Sequence, residues 1–177
     1  MAHIVFITGG ARSGKSSFAE KRALDFGDSL GYLATAQMLD DEMHERVRRH
    51  RERRGVEWHT IEEPINLSQA LARCDGTYRA ILVDCVTLWL SNLLFTYEES
   101  GGDCEERIHE DAKSLIITLQ GMVTPVVLVS NEVGQGIVPD NRLARLFRDI
   151  AGVTNQALAA AADEVHAVFS GIPLKIK

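Results

Sequence analysis

Hydrophobic residues fall into two kinds of stretch along the chain. Short runs dense in apolar residues cover 3–8, 30–34, 79–83, 125–130 and 164–170. Near-continuous apolar character of this length predicts strands of a parallel sheet covered on both faces. A weaker run at 57–61, ahead of Pro64, predicts another strand, and 173–176 a short edge strand. Between the runs, apolar residues recur at helical spacing. One helix runs to about Phe26, with Phe18, Ala19 and Ala23 on one side and Gly27 as its stop. A second is predicted over 42–54 behind Asp40 and Asp41, and a third over 67–74 with Asn66 as cap. The stretch 86–97 places Val86, Trp89, Leu90, Leu93, Leu94 and Tyr97 on one side, with Leu88 and Phe95 widening the apolar surface. Helices over 105–122 and 140–162 follow, the latter turning Leu143, Leu146, Phe147, Ile150, Ala157, Leu158 and Ala161 inward. Strand–helix alternation from end to end predicts one α/β domain over residues 1–177. Its expected form is a doubly wound, mainly parallel sheet with helices on both faces.

Composition narrows this little. Hydrophobic content of 45% with 25% charged residues is ordinary for a globular domain. The net charge of −6 argues against a surface built to coat nucleic acid or an anionic membrane. No apolar stretch approaches the roughly 20 residues of a membrane span. Met1 leads straight into the first strand, so no leader peptide is expected, and the location expected is cytoplasmic. The three cysteines, Cys74, Cys85 and Cys104, are widely spaced and read as reduced thiols, not as a zinc site or disulfide framework.

The chemistry is concentrated where the first strand ends. Gly9, Gly10, Ala11, Arg12, Ser13, Gly14, Lys15 and Ser16 spell G-x-x-x-x-G-K-S between a strand and a helix. Glycines let the backbone curl its N–H groups toward phosphate oxygens, and the positive end of the following helix adds to that field. Lys15 is placed for the terminal phosphates and the Ser16 hydroxyl for Mg²⁺. The absence of G-x-G-x-x-G spacing argues against a dinucleotide-binding turn. The strand at 79–83 runs into Asp84, an acid placed to hold Mg²⁺ in proteins with such a loop. Together these predict a P-loop nucleoside triphosphatase fold of RecA-like type. Residues 131–139, with Gly134 and Gly136, predict an active-site wall at the same sheet edge.

Residues 46–54 carry arginine at 46, 48, 49, 51, 53 and 54, with His50 among them. Arg46, His50, Arg53 and Arg54 share a helix side. Three readings stand on the residues alone: a solvated face tempered by Glu42, Glu45 and Glu52, a functional cation patch, or, more weakly because no aromatic residues interleave with the charges, a nucleic-acid contact. His44, Glu45 and His50 lack the H-E-x-x-H spacing of a zinc site. The P-loop by itself is also compatible with a kinase of another small molecule, or with a RecA-like nucleotide-dependent binding module.

Several stretches taken together resemble the bifunctional adenosylcobinamide kinase / adenosylcobinamide-phosphate guanylyltransferase family of cobalamin assembly. They are Thr8 to Ser16; Leu39 to Met43 with Arg46, His50 and Arg51; and Trp58 to Thr60 with Glu62. Asp84 to Thr87 with Asn92 to Leu94, Asn131 to Gly134, Gly136 to Pro139, Asn141 to Arg145 and Phe147 to Asp149 complete the set. The resemblance implies two reactions. Adenosylcobinamide is phosphorylated by ATP or GTP; GMP from GTP then passes to that phosphate, giving adenosylcobinamide-GDP and pyrophosphate. It implies a histidine, here His50, that carries GMP covalently. It places nucleotide contacts on Gly9 to Ser16, on Ala34, Thr35 and Ala36, on Arg51, Glu52, Arg53 and Arg54, and on Glu62 and Asp84. Mg²⁺ at Ser16 and Asp84, a corrinoid substrate and a homotrimer are implied as well. Clustered guanidinium groups would favour a neutral, nucleophilic His50 and stabilise charge on the α-phosphoryl oxygens.

Overall fold

A computed structural model describes residues 1–37, 55–101 and 103–177. The predicted helix at 42–54, with His50, Arg51, Glu52, Arg53 and Arg54, lies outside the described residues. Seven strands form one sheet in the order β3-β2-β4-β5-β1-β6-β7. They are β1 (Ile4–Gly9), β2 (Leu30–Ala34), β3 (Trp58–Glu62), β4 (Ala80–Asp84), β5 (Val126–Asn131), β6 (Glu164–Phe169) and β7 (Ile172–Lys175). The first six are parallel and β7 turns back antiparallel on β6. The helices are α1 (Lys15–Leu24), α2 (Leu67–Cys74), α3 (Val86–Ser100), α4 (Cys104–Gly121) and α5 (Arg142–Ala161).

Alternation along the strands divides the core in two. Ile4, Phe6, Ile81, Val83, Val126 and Leu128 face α2, α3, α4 and α5. Val5, Ile7, Leu82, Val127 and Val129 face α1 through Ala19 and Ala23. Strands β1, β4 and β5 are therefore apolar on both sides, as a covered parallel sheet requires. The mainly parallel, doubly wound expectation holds.

The helices depart from the sequence reading in three places. Asn66 occupies the N-cap position of α2 but its side chain makes no capping bond. Glu63 braces the approach to the helix, its Oε1 accepting from the N–H groups of Ile65 (3.2 Å) and Asn66 (2.8 Å), both ahead of Leu67. Helix α3 continues past Tyr97 to Ser100 and stops only at Gly101, whose φ of 73° suits glycine. In α5 the buried face includes Thr154 and Asn155 beside Ile150, Ala151 and Leu158, a polar insertion that apolar spacing does not show.

Two devices hold the sheet ends. Ser170 (φ 50°) and Gly171 (φ 82°) form a two-residue hairpin turn between β6 and β7, both with positive φ. At the amino ends of β1 and β6, Glu164 gathers His3 Nε2 (2.9 Å) and Arg22 (2.8 Å) on Oε1 and His166 Nε2 (3.1 Å) on Oε2. These bonds, from His3 foremost and then His166 and Arg22, outweigh the opposing effect of burial and pull the Glu164 carboxyl down to about 2.

Candidate functional site

Parallel strands bring their carboxyl ends to one edge, and the register fixes the sequence of residues along it. Glu62 is level with Ala34, Ala34 with Asp84, and Asp84 with Val129; two positions on, Asn131 is level with Gly9 and Gly9 with Val168. Every described residue assigned to nucleotide contact therefore lies along this edge or in the loop rising from it. Strand β5 separates the P-loop strand from the strand that ends in Asp84.

The P-loop is tightly braced. A Cβ on Gly9 would stand 2.5 Å from the Val168 carbonyl oxygen and 2.8 Å from Ser13 Oγ, so only glycine fits. Gly14 has a φ of 94°, and a Cβ there would press on Gly171 at 3.1 Å. The N–H of Gly171 donates to the Ser13 carbonyl at 2.7 Å, so the β6–β7 turn braces the loop. Arg12 also has positive φ, 56°. Lys15, almost wholly buried, donates from Nζ to the Gly10 carbonyl at 3.0 Å, and the Ser13 N–H reaches the same oxygen at 3.2 Å. Ser13 Oγ is buried without a hydrogen-bond partner among the described residues. An unmet hydroxyl costs about 1–3 kcal/mol, and a phosphate oxygen within the loop would supply the missing acceptor.

Asp84 ends β4 on the α1 side of the sheet, the parity it shares with Ala80 and Leu82. Tyr32, on the same side, donates its hydroxyl to Asp84 Oδ2 at 2.8 Å, and Oδ1 has no partner among the described residues. The thiol of Cys85 is pushed up to about 12, first by burial and then by the Asp84 charge, with Lys15 acting the other way. Both charges are thus felt at one buried point, and the thiol stays protonated and unreactive. Thr35 is fully buried and its Oγ1 is spent on Cys85, donating to the carbonyl (2.7 Å) and accepting from the N–H (2.8 Å). Its side chain locks the ends of β2 and β4 together, while Ala34 and Ala36 flank it at the edge. Asn92 from α3 ties the same turn down, donating to the carbonyls of Thr35 (2.8 Å) and Pro64 (3.0 Å).

A polar network on the opposite side of the sheet escaped the sequence reading. Thr8 Oγ1 donates to Glu132 Oε1 at 2.6 Å, and Asn155 Nδ2 approaches the same oxygen at 3.3 Å. Ser130 Oγ donates to Asn155 Oδ1 at 2.7 Å and lies 3.1 Å from Thr87 Oγ1, which accepts from the N–H of Asn131 at 2.6 Å. Four of the members, Thr8, Thr87, Ser130 and Asn155, are buried. Polar residues at strand ends and a lone Asn inside an apolar helix stripe were the available signals. The wall at 131–139 is held by Arg148, donating to the Gly134 carbonyl (2.7 Å), and by Arg145, donating to those of Pro139 (2.9 Å) and Asp140 (2.7 Å).

The donor set suits a hard cation shared with phosphate. Mg²⁺ takes oxygen ligands, keeps waters and needs only one or two carboxylates beside the substrate phosphates. The Ser16 hydroxyl and the open oxygen of Asp84 match that demand. No cluster of three His, Cys, Asp or Glu residues suited to a metal occurs among the described residues.

Against this geometry stand the relatives. The family described as CobU, cobinamide kinase / cobinamide phosphate guanyltransferase, matches residues 5–176. The bifunctional adenosylcobalamin biosynthesis protein CobU of Escherichia coli is 47% identical over 98% of this chain and 99% of its own. The protein of the same description from Salmonella typhimurium is 46% identical over the same shares. CobP of Pseudomonas aeruginosa is 41% identical, covering 97% of this chain and 95% of its own. Of solved structures, the RadB recombinase superposes with a TM-score of 0.49 at 13% identity, over 93% of this chain and 73% of that one, too distant to bear on activity.

Proposed function

Because the chain belongs to the cobinamide kinase / cobinamide phosphate guanyltransferase family, we propose how its one P-loop serves both reactions of that name. It is a bifunctional transferase of adenosylcobalamin biosynthesis: it phosphorylates cobinamide, then transfers a guanylyl group to the resulting phosphate. In both half-reactions the backbone N–H groups of Gly9 to Ser16 and the Lys15 ammonium hold the leaving phosphates. Adenosylcobinamide accepts the γ-phosphoryl group of ATP or GTP in the first. In the second, His50 attacks the α-phosphorus of GTP, pyrophosphate departs, and the substrate phosphate then takes GMP from the histidine. Arg51, Arg53 and Arg54 offset charge at the α-phosphate, with Glu52 beside them in sequence; Ala34, Thr35, Ala36 and Glu62 complete the nucleotide's surroundings. Mg²⁺ held by Ser16 and Asp84 would neutralise charge developing between β- and γ-phosphates.

The observation that carries this reading is the meeting of the P-loop and Asp84 at one carboxyl edge, in a chain matched along nearly its whole length. The orphaned Ser13 hydroxyl supports a phosphate in the loop. A homotrimer belongs to the same reading. Leu88 is accounted for within the chain, packed on the α1-side core, which leaves Phe95, 57% exposed on α3, to support a subunit contact. A cytoplasmic location is part of it too; among the described residues no helix is long and apolar enough to cross a membrane.

Incubation with GTP labelled at the α- or γ-position tests the covalent step. The protein should retain α-label in an acid-labile, base-stable bond and no γ-label. His50→Ala should abolish formation of adenosylcobinamide-GDP while leaving cobinamide phosphorylation measurable by mass analysis. Full guanylyl transfer by His50→Ala would reduce the histidine to part of a charged surface.

A further inference from the structure

We propose that Glu132 is the general base of the kinase reaction, taking the proton of the cobinamide hydroxyl from the sheet face opposite Asp84; the proposal rests on the kinase reading above. Among the described residues four acids stand at or just past the carboxyl ends of the strands, and three are unsuited to this task. Glu62 ends β3, two strands beyond β4 on the far side from the P-loop. Glu63 is committed to the N–H groups just ahead of α2 and lies 3.6 Å from Arg73. Asp84 lies on the α1 side, the side of the helix that the P-loop feeds, where its open oxygen suits the metal. Of these four, Glu132 adjoins the P-loop strand, its own N–H donating to the Gly9 carbonyl at 3.0 Å.

The parity of β1 settles which side Glu132 serves. Thr8 shares the face of Ile4 and Phe6, toward α5, and its hydroxyl holds Glu132 Oε1 at 2.6 Å. Asn155 of α5 secures the same oxygen. Oε2 has no partner among the described residues. One oxygen is therefore fixed by a buried network and the other is left to act, the arrangement a positioned base needs. The nucleotide, seated over the N-terminus of α1, and the acceptor, entering beside the wall at 131–139, would then approach the γ-phosphorus from opposite sides of the sheet edge. Opposed approach is what in-line displacement demands.

The step balances without any further reagent. The acceptor O–H proton passes to Glu132 Oε2 as the hydroxyl oxygen bonds to the γ-phosphorus. The bond from that phosphorus to the β,γ-bridging oxygen breaks, and its electron pair leaves on the nucleoside diphosphate. Glu132 later returns the proton to water. Guanylyl transfer needs no such base, because its acceptor is a phosphate that is already ionised.

The test uses the full-length protein with two assays: phosphate transfer from γ-labelled ATP to adenosylcobinamide, and GMP transfer to supplied adenosylcobinamide phosphate. Glu132→Gln preserves size and can still accept from Thr8. Its kinase kcat should fall about 10²–10³-fold with nucleotide KM little changed, so that the ratio of the two activities moves by about the same factor. Formate added to Glu132→Ala should restore part of the kinase rate. A Glu132→Gln kinase within about threefold of wild type overturns the proposal. Equal loss of both reactions without response to formate overturns it too, since that marks a structural role. Failure of the functional reading looks different: wild-type protein would then phosphorylate no cobinamide at all, before any substitution is made.

Discussion

The two ends of the sheet each collect carboxylates, and they use them in opposite ways. At the amino end, both oxygens of Glu164 are taken up by His3, Arg22 and His166, with Lys175 at 3.9 Å. At the carboxyl end, Asp84 and Glu132 each have one oxygen held, by Tyr32 and by Thr8 with Asn155, and one without a partner among the described residues. A carboxylate with both oxygens engaged by cationic partners stabilises the chain that surrounds it and has little to offer a ligand. A carboxylate fixed through one oxygen keeps its aim and can still bind a metal or a proton. Charge density alone does not separate a structural cluster from a chemical one; the number of unspent lone pairs does.

The largest effect expected is at the carboxyl end. Lys15→Ala should lower phosphorylation and guanylyl transfer together, each on the order of 10²–10³-fold, because in the proposed reading both leaving groups rest on the same ammonium. Its thermal midpoint should stay near that of wild type. Near-normal guanylyl transfer in Lys15→Ala would show that the loop serves the kinase alone.

A middle-sized effect is expected at the amino end, on stability. The folded-state pKa of Glu164, about 2, lies below its ordinary 4.5. Stabilisation is therefore fully present above about 4.5 and is lost as pH falls toward 2. Glu164→Gln should cost about 2–3 kcal/mol at neutral pH, or roughly 5–10 °C in Tm. It should flatten the acid limb of the stability curve and leave both activities intact at moderate temperature. A variant as stable as wild type, or one that loses activity before it unfolds, would break the division between the two ends. The smallest effect is expected at Tyr32→Phe, which frees the second oxygen of Asp84. The Mg²⁺ concentration for half-maximal kinase rate should shift only a few-fold, since one hydrogen bond to a charged group is at stake. An unchanged Mg²⁺ requirement would place Asp84 outside the metal's reach.

Much of this molecule can be read in one dimension. Apolar runs predict strands because a parallel strand is covered on both faces, and the P-loop is recognisable because its donors are consecutive backbone groups. Asp84 was legible for a related reason: an acid directly after an apolar strand must emerge at that strand's carboxyl end. Helix ends were read less well. Asn66 has the right side chain for a cap yet makes no capping bond, and Glu63 braces the turn just ahead of the helix through the N–H groups of Ile65 and Asn66.

The chain's own order of residues determined the fold class, the phosphate loop and the family, each of which depends on local pattern or contiguous motif. Tertiary structure alone decided which face of the sheet each carboxylate serves. Thr8, Glu132 and Asn155 lie 124 and 23 positions apart in sequence and become one hydrogen-bonded group only through the pairing of β1 with β5 and the packing of α5. That pairing also leaves one oxygen of Glu132 open. No spacing rule encodes it, because it depends on strand parity at two ends of the chain at once.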